Sequence, residues 1–135
     1  MAVQNSVAVR NAMLDAIETA IGTGAILKIA TGSQPANCAA AASGTVLVSY
    51  TLASDWAANA SAGSKSFNNT PVSASASATG TAAHYRIYAS DGTTCHDQGS
   101  VTVTGGGGDM TIDNTSINSG QVVNITGFTK TMGGA

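Results

Sequence analysis

The side chains able to do nucleophilic or metal chemistry are few in this 135-residue chain: two cysteines, Cys38 and Cys95, and two histidines, His84 and His96. The cysteines lie 57 positions apart, so there is no Cys-x-x-Cys zinc or redox motif. A four-ligand zinc site would need nearly every Cys and His available. Cys95-His96 sets a thiol beside an imidazole. A Cys–His nucleophile needs the two side chains to face each other next to an oxyanion hole, and sequence neighbours on a strand point apart. Asp91, Asp97, Asp109 and Asp113 could meet at one end of a β domain and hold calcium, but they lack DxDxDG spacing and sit where Asp ordinarily forms turns. Gly105–Gly108 superficially resembles a phosphate loop; without a following GK[ST] and a helix pattern it reads as a turn. GxSxG, HExxH and a carboxylate pair for acid–base work are all missing. The expectation is a protein that is not an enzyme, with no catalytic residues, no metal ligands and no cofactor. Cys38 and Cys95 remain candidates for a disulfide, which would stabilise by ~4 kcal/mol in the chain-entropy model. Two free buried thiols fit the sequence equally well, and oxidation after release from the cell would reconcile a bond with synthesis in the cytoplasm.

The elements that must position these residues begin with a helix. Asn5-Ser6 are good N-cap residues and Gly22 a good C′ residue. Between them Val9, Met13, Ile17, Ala20 and Ile21 recur at helical spacing, which predicts an amphipathic helix over about 6–21. Val9, Met13, Ile17 and Ile21 form its candidate docking face, and Arg10, Asn11, Asp15, Glu18 and Thr19 take much of the remainder. After Gly24 the pattern turns to strand: Ala25–Thr31, Thr45–Leu52 with Val46, Val48, Tyr50 and Leu52 on one face, a short Ser64–Asn68, Pro71–Gly80, His84–Ser90, Ser100–Thr104, Met110–Ile112 and Gln121–Thr131. Gly127 marks a bulge or kink in the last of these. Both cysteines fall in turn-rich loops, and the single Trp56 anchors a loop to the core. The whole predicts one domain, 1–135: a mainly β protein, β-sandwich or jelly-roll-like over about 25–131, behind one N-terminal α-helix.

Composition bounds the partners. Charged residues are 9% and aromatics 4%, with a net charge of −2. Arg10, Lys28, Lys65, Arg86 and Lys130 are scattered rather than clustered, which argues against nucleic acid. No apolar run reaches the ~20 residues of a membrane span. Arg10, Asp15 and Glu18 interrupt the stretch where a secretory h-region would lie, so synthesis in the cytoplasm without export by that route is expected. A surface of hydroxyls, amides and backbone sheds its hydration at little cost, which suits a chain packed among copies of itself or of a partner.

The opening NSVAVRNAMLDAIETAIGTGAILKIATGSQPANCAAAASGTVL and the run HYRIYASDGTTCHDQGSVTVTGGGGDMTIDNTSINSGQVVNITGFT resemble a family of small proteins from tailed phages and prophages. The resemblance covers nearly the whole chain, with TTCH and GGGGDMTIDNTSI its most specific segments. It implies a virion structural role for a protein made in the host cytoplasm, and it supplies no catalytic residues. The leading expectation is a capsid decoration, or cement, protein that stabilises the head shell, working as a homotrimer bound to the major capsid protein or another virion protein. The alternatives are a tail, adaptor or baseplate component, and a host-surface carbohydrate-binding module.

Overall fold

The computed structural model describes residues 3–68 and 72–132. The chain enters through one helix, α1 (Val7–Ile21). Ser6 Oγ accepts from the Val9 N–H at 3.3 Å, and the Gly22 N–H bonds to Glu18 O at 3.0 Å with Gly22 at φ 84°. A hydroxyl satisfies an orphan N–H at one end, and a residue without Cβ takes the positive φ at the other.

Ten strands follow among the described residues: β1 (Ile26–Ala30), β2 (Val46–Thr51), β3 (Ser64–Ser66), β4 (Val72–Ser75), β5 (Gly80–Thr81), β6 (His84–Tyr88), β7 (Cys95–Val103), β8 (Met110–Ile112), β9 (Ser116–Ile117) and β10 (Val122–Thr131). Eight form one sheet in the order β2-β1-β6-β7-β8-β10-β3, with β4 also paired to β10. The pairings in it are antiparallel except β7 with β8. β5 and β9 make a separate two-stranded ribbon. The large sheet curls until its ends face each other. The Ser77 N–H, just past β4, bonds to Leu47 O on β2 at 2.8 Å, and Tyr50 Oη on β2 donates to Val123 O on β10 at 3.1 Å. The fold is thus mainly β with one N-terminal helix.

Fully buried Leu27, Ile29, Val48, Ile87, Val123 and Ile125 fill the concave side. Trp56, Phe67, Phe128 and Tyr85 extend that core as a chain of rings, with centroid separations of 5.8, 4.8 and 5.3 Å. Every residue of β6 is buried. Tyr85 and Ile87 belong to the core. His84 and Arg86, on the opposite face, bond to carbonyls of the 32–40 loop. A central strand covered on both sides needs no apolar–polar alternation.

Three strands differ from the sequence pattern. In β2, simple alternation puts Val46 inside, yet Val46 is 37% exposed and Leu47 is buried. The register with β1 runs Ile29↔Val48, then Ala30↔Val46, so Leu47 is the extra residue of a bulge. β7 begins at Cys95, not Ser100, which places Cys95 on a strand instead of in a loop. The Pro71–Gly80 stretch divides into β4 and the start of β5, and its first residue lies outside the described residues. The irregularity expected at Gly127 is present, as a register shift against β8 between Ile125 and Gly127.

Candidate functional site

Helix α1 carries its charges inward. Val9, Met13, Ile17 and Ile21, grouped on one face by their spacing, are split by the fold. Ile21 is buried and Ile17 packs on the core, whereas Val9 and Met13 are 46% and 43% exposed. Leu14, which lies outside that face, is the most buried residue of the helix at 1% exposure. The cause is a polar latch. Asp15 Oδ1 accepts from the Ala60 N–H and from Lys65 Nζ, both at 2.8 Å. Glu18 accepts from the Ala57 N–H at 3.2 Å and pairs with Lys65 Nζ at 3.0 Å. Asn11 Oδ1 accepts from the Gly63 N–H at 2.9 Å. Segment 57–63 has little ladder of its own: the Ala58 and Ser61 N–H groups find backbone carbonyls, and helix side chains satisfy those of Ala57, Ala60 and Gly63. Gly63 is needed there: its φ is +76°, and a Cβ would run into Arg10 Nη1.

Electrostatics reinforce the latch. Hydrogen bonds from Lys65 and then from the Ala60 N–H hold the Asp15 carboxyl below the usual carboxylate range. Burial works against the Lys65 ammonium, but its bonds to Asp15 and Glu18 outweigh that and raise its pKa. With the charges turned in, the outward stripe of α1 is Ala8, Val9, Ala12, Met13, Ala16 and Ala20, all exposed and none charged. Val7 at the first turn is 47% exposed, and Val3 just ahead of it 81%.

A second feature lies on the convex side of β6. A cavity of about 360 Å³ is walled by Lys28, Arg86, Tyr88, Cys38 and Cys95 together with residues 39–42. Lys28 Nζ and Arg86 Cζ sit 4.7 and 5.6 Å from the Tyr88 ring centroid. Arg86 is 4% exposed, and its Nη2 donates to Cys38 O at 2.9 Å and Ala40 O at 3.0 Å. Three N–H···O bonds, counting a longer one to Asn37 O, make this guanidinium the peg that holds the 32–44 loop on the sheet. Cys38 from that loop meets Cys95 from β7, and both thiols are free and half-buried. Burial first, and the adjoining Cys95 second, push the Cys38 thiol up to about 11. At neutral pH it is protonated, which is the opposite of an activated nucleophile.

Most of the other residues with chemical potential are engaged in the fold. His84 is buried with Nδ1 2.9 Å from Gly32 O, and His96 is exposed. Asp91 accepts from Thr94 Oγ1 and from the Thr94 and Thr93 N–H groups; these bonds lower its pKa to about 2 and build the turn before β7. Asp97 takes Lys130 Nζ at 2.7 Å and Tyr85 Oη at 2.9 Å. Asp109 accepts from Ser100 N–H and Oγ, and Asp113 from Asn124. The four aspartates therefore do not converge, and no group of three His, Cys, Asp or Glu side chains gathers among the described residues. In the GGGGDM run, a Cβ at Gly106 or Gly108 would press on Thr102 at 2.7–2.9 Å, so close packing is what these two glycines serve.

Trp56, Phe67, Phe128, Tyr50, Tyr85 and Tyr88 are all the aromatics of the chain, and none exceeds 6% exposure. Comparison with known proteins adds no relative: no protein-family model matches the chain, and no curated protein or solved structure matches it.

Proposed function

We propose that this chain is a structural subunit of a tailed-phage virion, and that within the virion it is a decoration protein bound to the head shell. The observation that carries the assembly role is the inverted helix. A stripe of alanine, valine and methionine faces outward while Arg10, Asp15 and Glu18 bind the protein's own backbone and Lys65. An uncharged face of this kind sheds water at little cost and gains by packing on another surface. The likeness of TTCH and GGGGDMTIDNTSI to phage and prophage proteins supplies the setting. A shell binder acts through many copies, so a modest contact per copy suffices when copies engage together. A homotrimer fits this role. The carbohydrate-module reading has less to support it, because sugar sites usually offer exposed aromatic rings and the Trp, Tyr and Phe rings here are buried.

The test is to add purified protein to head shells prepared without it, measure co-sedimentation, and image the particles. Bound density at regular positions on the shell is expected. Density confined to the tail would replace the decoration reading with the tail, adaptor or baseplate one. Val9→Glu combined with Met13→Glu is expected to weaken shell binding by roughly tenfold or more while leaving the thermal midpoint nearly unchanged, because exposed substitutions cost little stability. Full binding by that variant would remove the helix stripe from the interface.

A further inference from the structure

We propose that Cys38 and Cys95 form a redox clasp: an intramolecular disulfide, open in this structure, that closes to weld the 32–44 loop to β7. The sequence alone leaves disulfide and free thiols in balance; the fold supplies what it lacks. The two cysteines are 57 positions apart, yet they wall one cavity, and the Cys38 thiol is close enough to Cys95 to be perturbed by it. Arg86 fixes the loop side of this approach through Cys38 O and Ala40 O. Gln98 Nε2 adds a bond to Pro35 O at 2.7 Å, from the same strand that carries Cys95. On the sheet side, Cys95 is held opposite Tyr88 in the β6–β7 ladder, and its Sγ lies 3.5 Å from Asp97 O.

Among the described residues, the hydrogen bonds that tie this loop to β6 and β7 come from strand side chains, so a covalent tie would add a constraint of a different kind. The oxidant is a small-molecule disulfide such as oxidised glutathione. One protein thiolate attacks it, forming a mixed disulfide and releasing one reduced glutathione. The second protein thiolate then attacks the mixed disulfide, forming Cys38–Cys95 and releasing another. Two protein thiols are oxidised, one small disulfide is reduced to two thiols, and the two thiol protons pass to the released thiolates. The protonated state of Cys38 makes closure slow at neutral pH and faster as pH rises. This inference does not depend on the virion assignment.

The experiment uses the full chain, incubated at length with oxidised glutathione at pH 8.5, at the reference thiol pKa of about 8.5 and below that of Cys38, followed by peptide mapping without reduction. The expected product is monomeric by denaturing gel, has lost two hydrogens, and yields one linked peptide pair containing Cys38 and Cys95. Its thermal midpoint should rise by about 10 °C and fall back on adding dithiothreitol. Cys38→Ser and Cys95→Ser variants should show no such rise. If the cysteines instead end as separate glutathione adducts or as links between chains, the clasp is wrong. An unchanged midpoint in the linked wild-type protein would also overturn it, and that comparison stands even if a variant fails to fold.

Discussion

Lys65 is the residue on which the docking of the helix turns. It is 6% exposed, donates to Ala58 O, and pairs with both Asp15 and Glu18. Removing one member of a buried ion cluster leaves the others without compensation, which is costlier than never having had the cluster. Because the Asp15 side chain reaches solvent, the loss lies at the low end: Lys65→Ala is expected to destabilise by about 2 kcal/mol in urea unfolding. The pH behaviour should change with it. Asp15, depressed in the fold, contributes stability that is present above its unfolded value and is lost as pH falls through the folded one. Lys65, raised in the fold, contributes stability present below its unfolded value and lost as pH rises through the folded one. Stability of the wild-type chain should therefore fall on acidification below about pH 4, and more shallowly in Lys65→Ala. An acid limb of equal steepness in both proteins would show that the latch contributes nothing. None of this was legible in the sequence, because Lys65 there is one isolated cation in a short strand, fifty positions from Asp15.

At the scale of elements, the existence and ends of α1 were legible and its rotation was not. Ser6 and Gly22 mark its caps by local chemistry, which sequence carries directly. Which side faces inward is decided by partners far along the chain, the 57–63 backbone and Lys65. Helical periodicity weighs apolar residues only, so a helix docked by its carboxylates reads as turned partly around. Two substitutions on adjacent residues separate the alternatives. Leu14→Ala should cost about 3 kcal/mol, as a fully buried leucine does, while Met13→Ala should stay within about 0.5 kcal/mol. Chemical unfolding with the reverse order would restore the orientation suggested by periodicity. The strands teach the same lesson. β6 shows in its branched and aromatic run, whereas the Cys95–Gly99 half of β7 is polar and hides as a loop. That half is a strand because β6 pairs with it at every residue but His96, which a register shift leaves out, and Tyr85 packs so close that a Cβ at Gly99 would come within 2.7 Å of its ring. The sequence offers one faint signal for it, a glycine inside a run that flanks a confident strand.

For the whole molecule, the mainly β class follows from turn signals recurring about every ten residues, but closure of the sheet does not, since it depends on contacts between its two ends. Tyr50 spans that closure: its ring is buried and its hydroxyl donates across to Val123 O. Tyr85, within the ring cluster, donates from β6 to Asp97 on the neighbouring β7. Burial, and then the charge of Asp113 near Tyr50 and of Asp97 near Tyr85, push both phenols above the ordinary tyrosine range. Each stays neutral in the fold but ionises in the unfolded chain near pH 10. Their stabilisation is thus fully present below that value and is lost as pH rises, by about 1.4 kcal/mol per pH unit for each tyrosine. The closed sheet should accordingly open cooperatively in alkali. The phenolate absorbance of these two tyrosines should appear together with the loss of β-sheet circular dichroism, and Tyr50→Phe should make the stability–pH slope shallower by one tyrosine. That variant also loses the hydrogen bond to Val123 O, so its stability at pH 7 should drop by about 1 kcal/mol. If Tyr50 ionises while the circular dichroism is still native, water already reaches the seam and the sheet is not closed there.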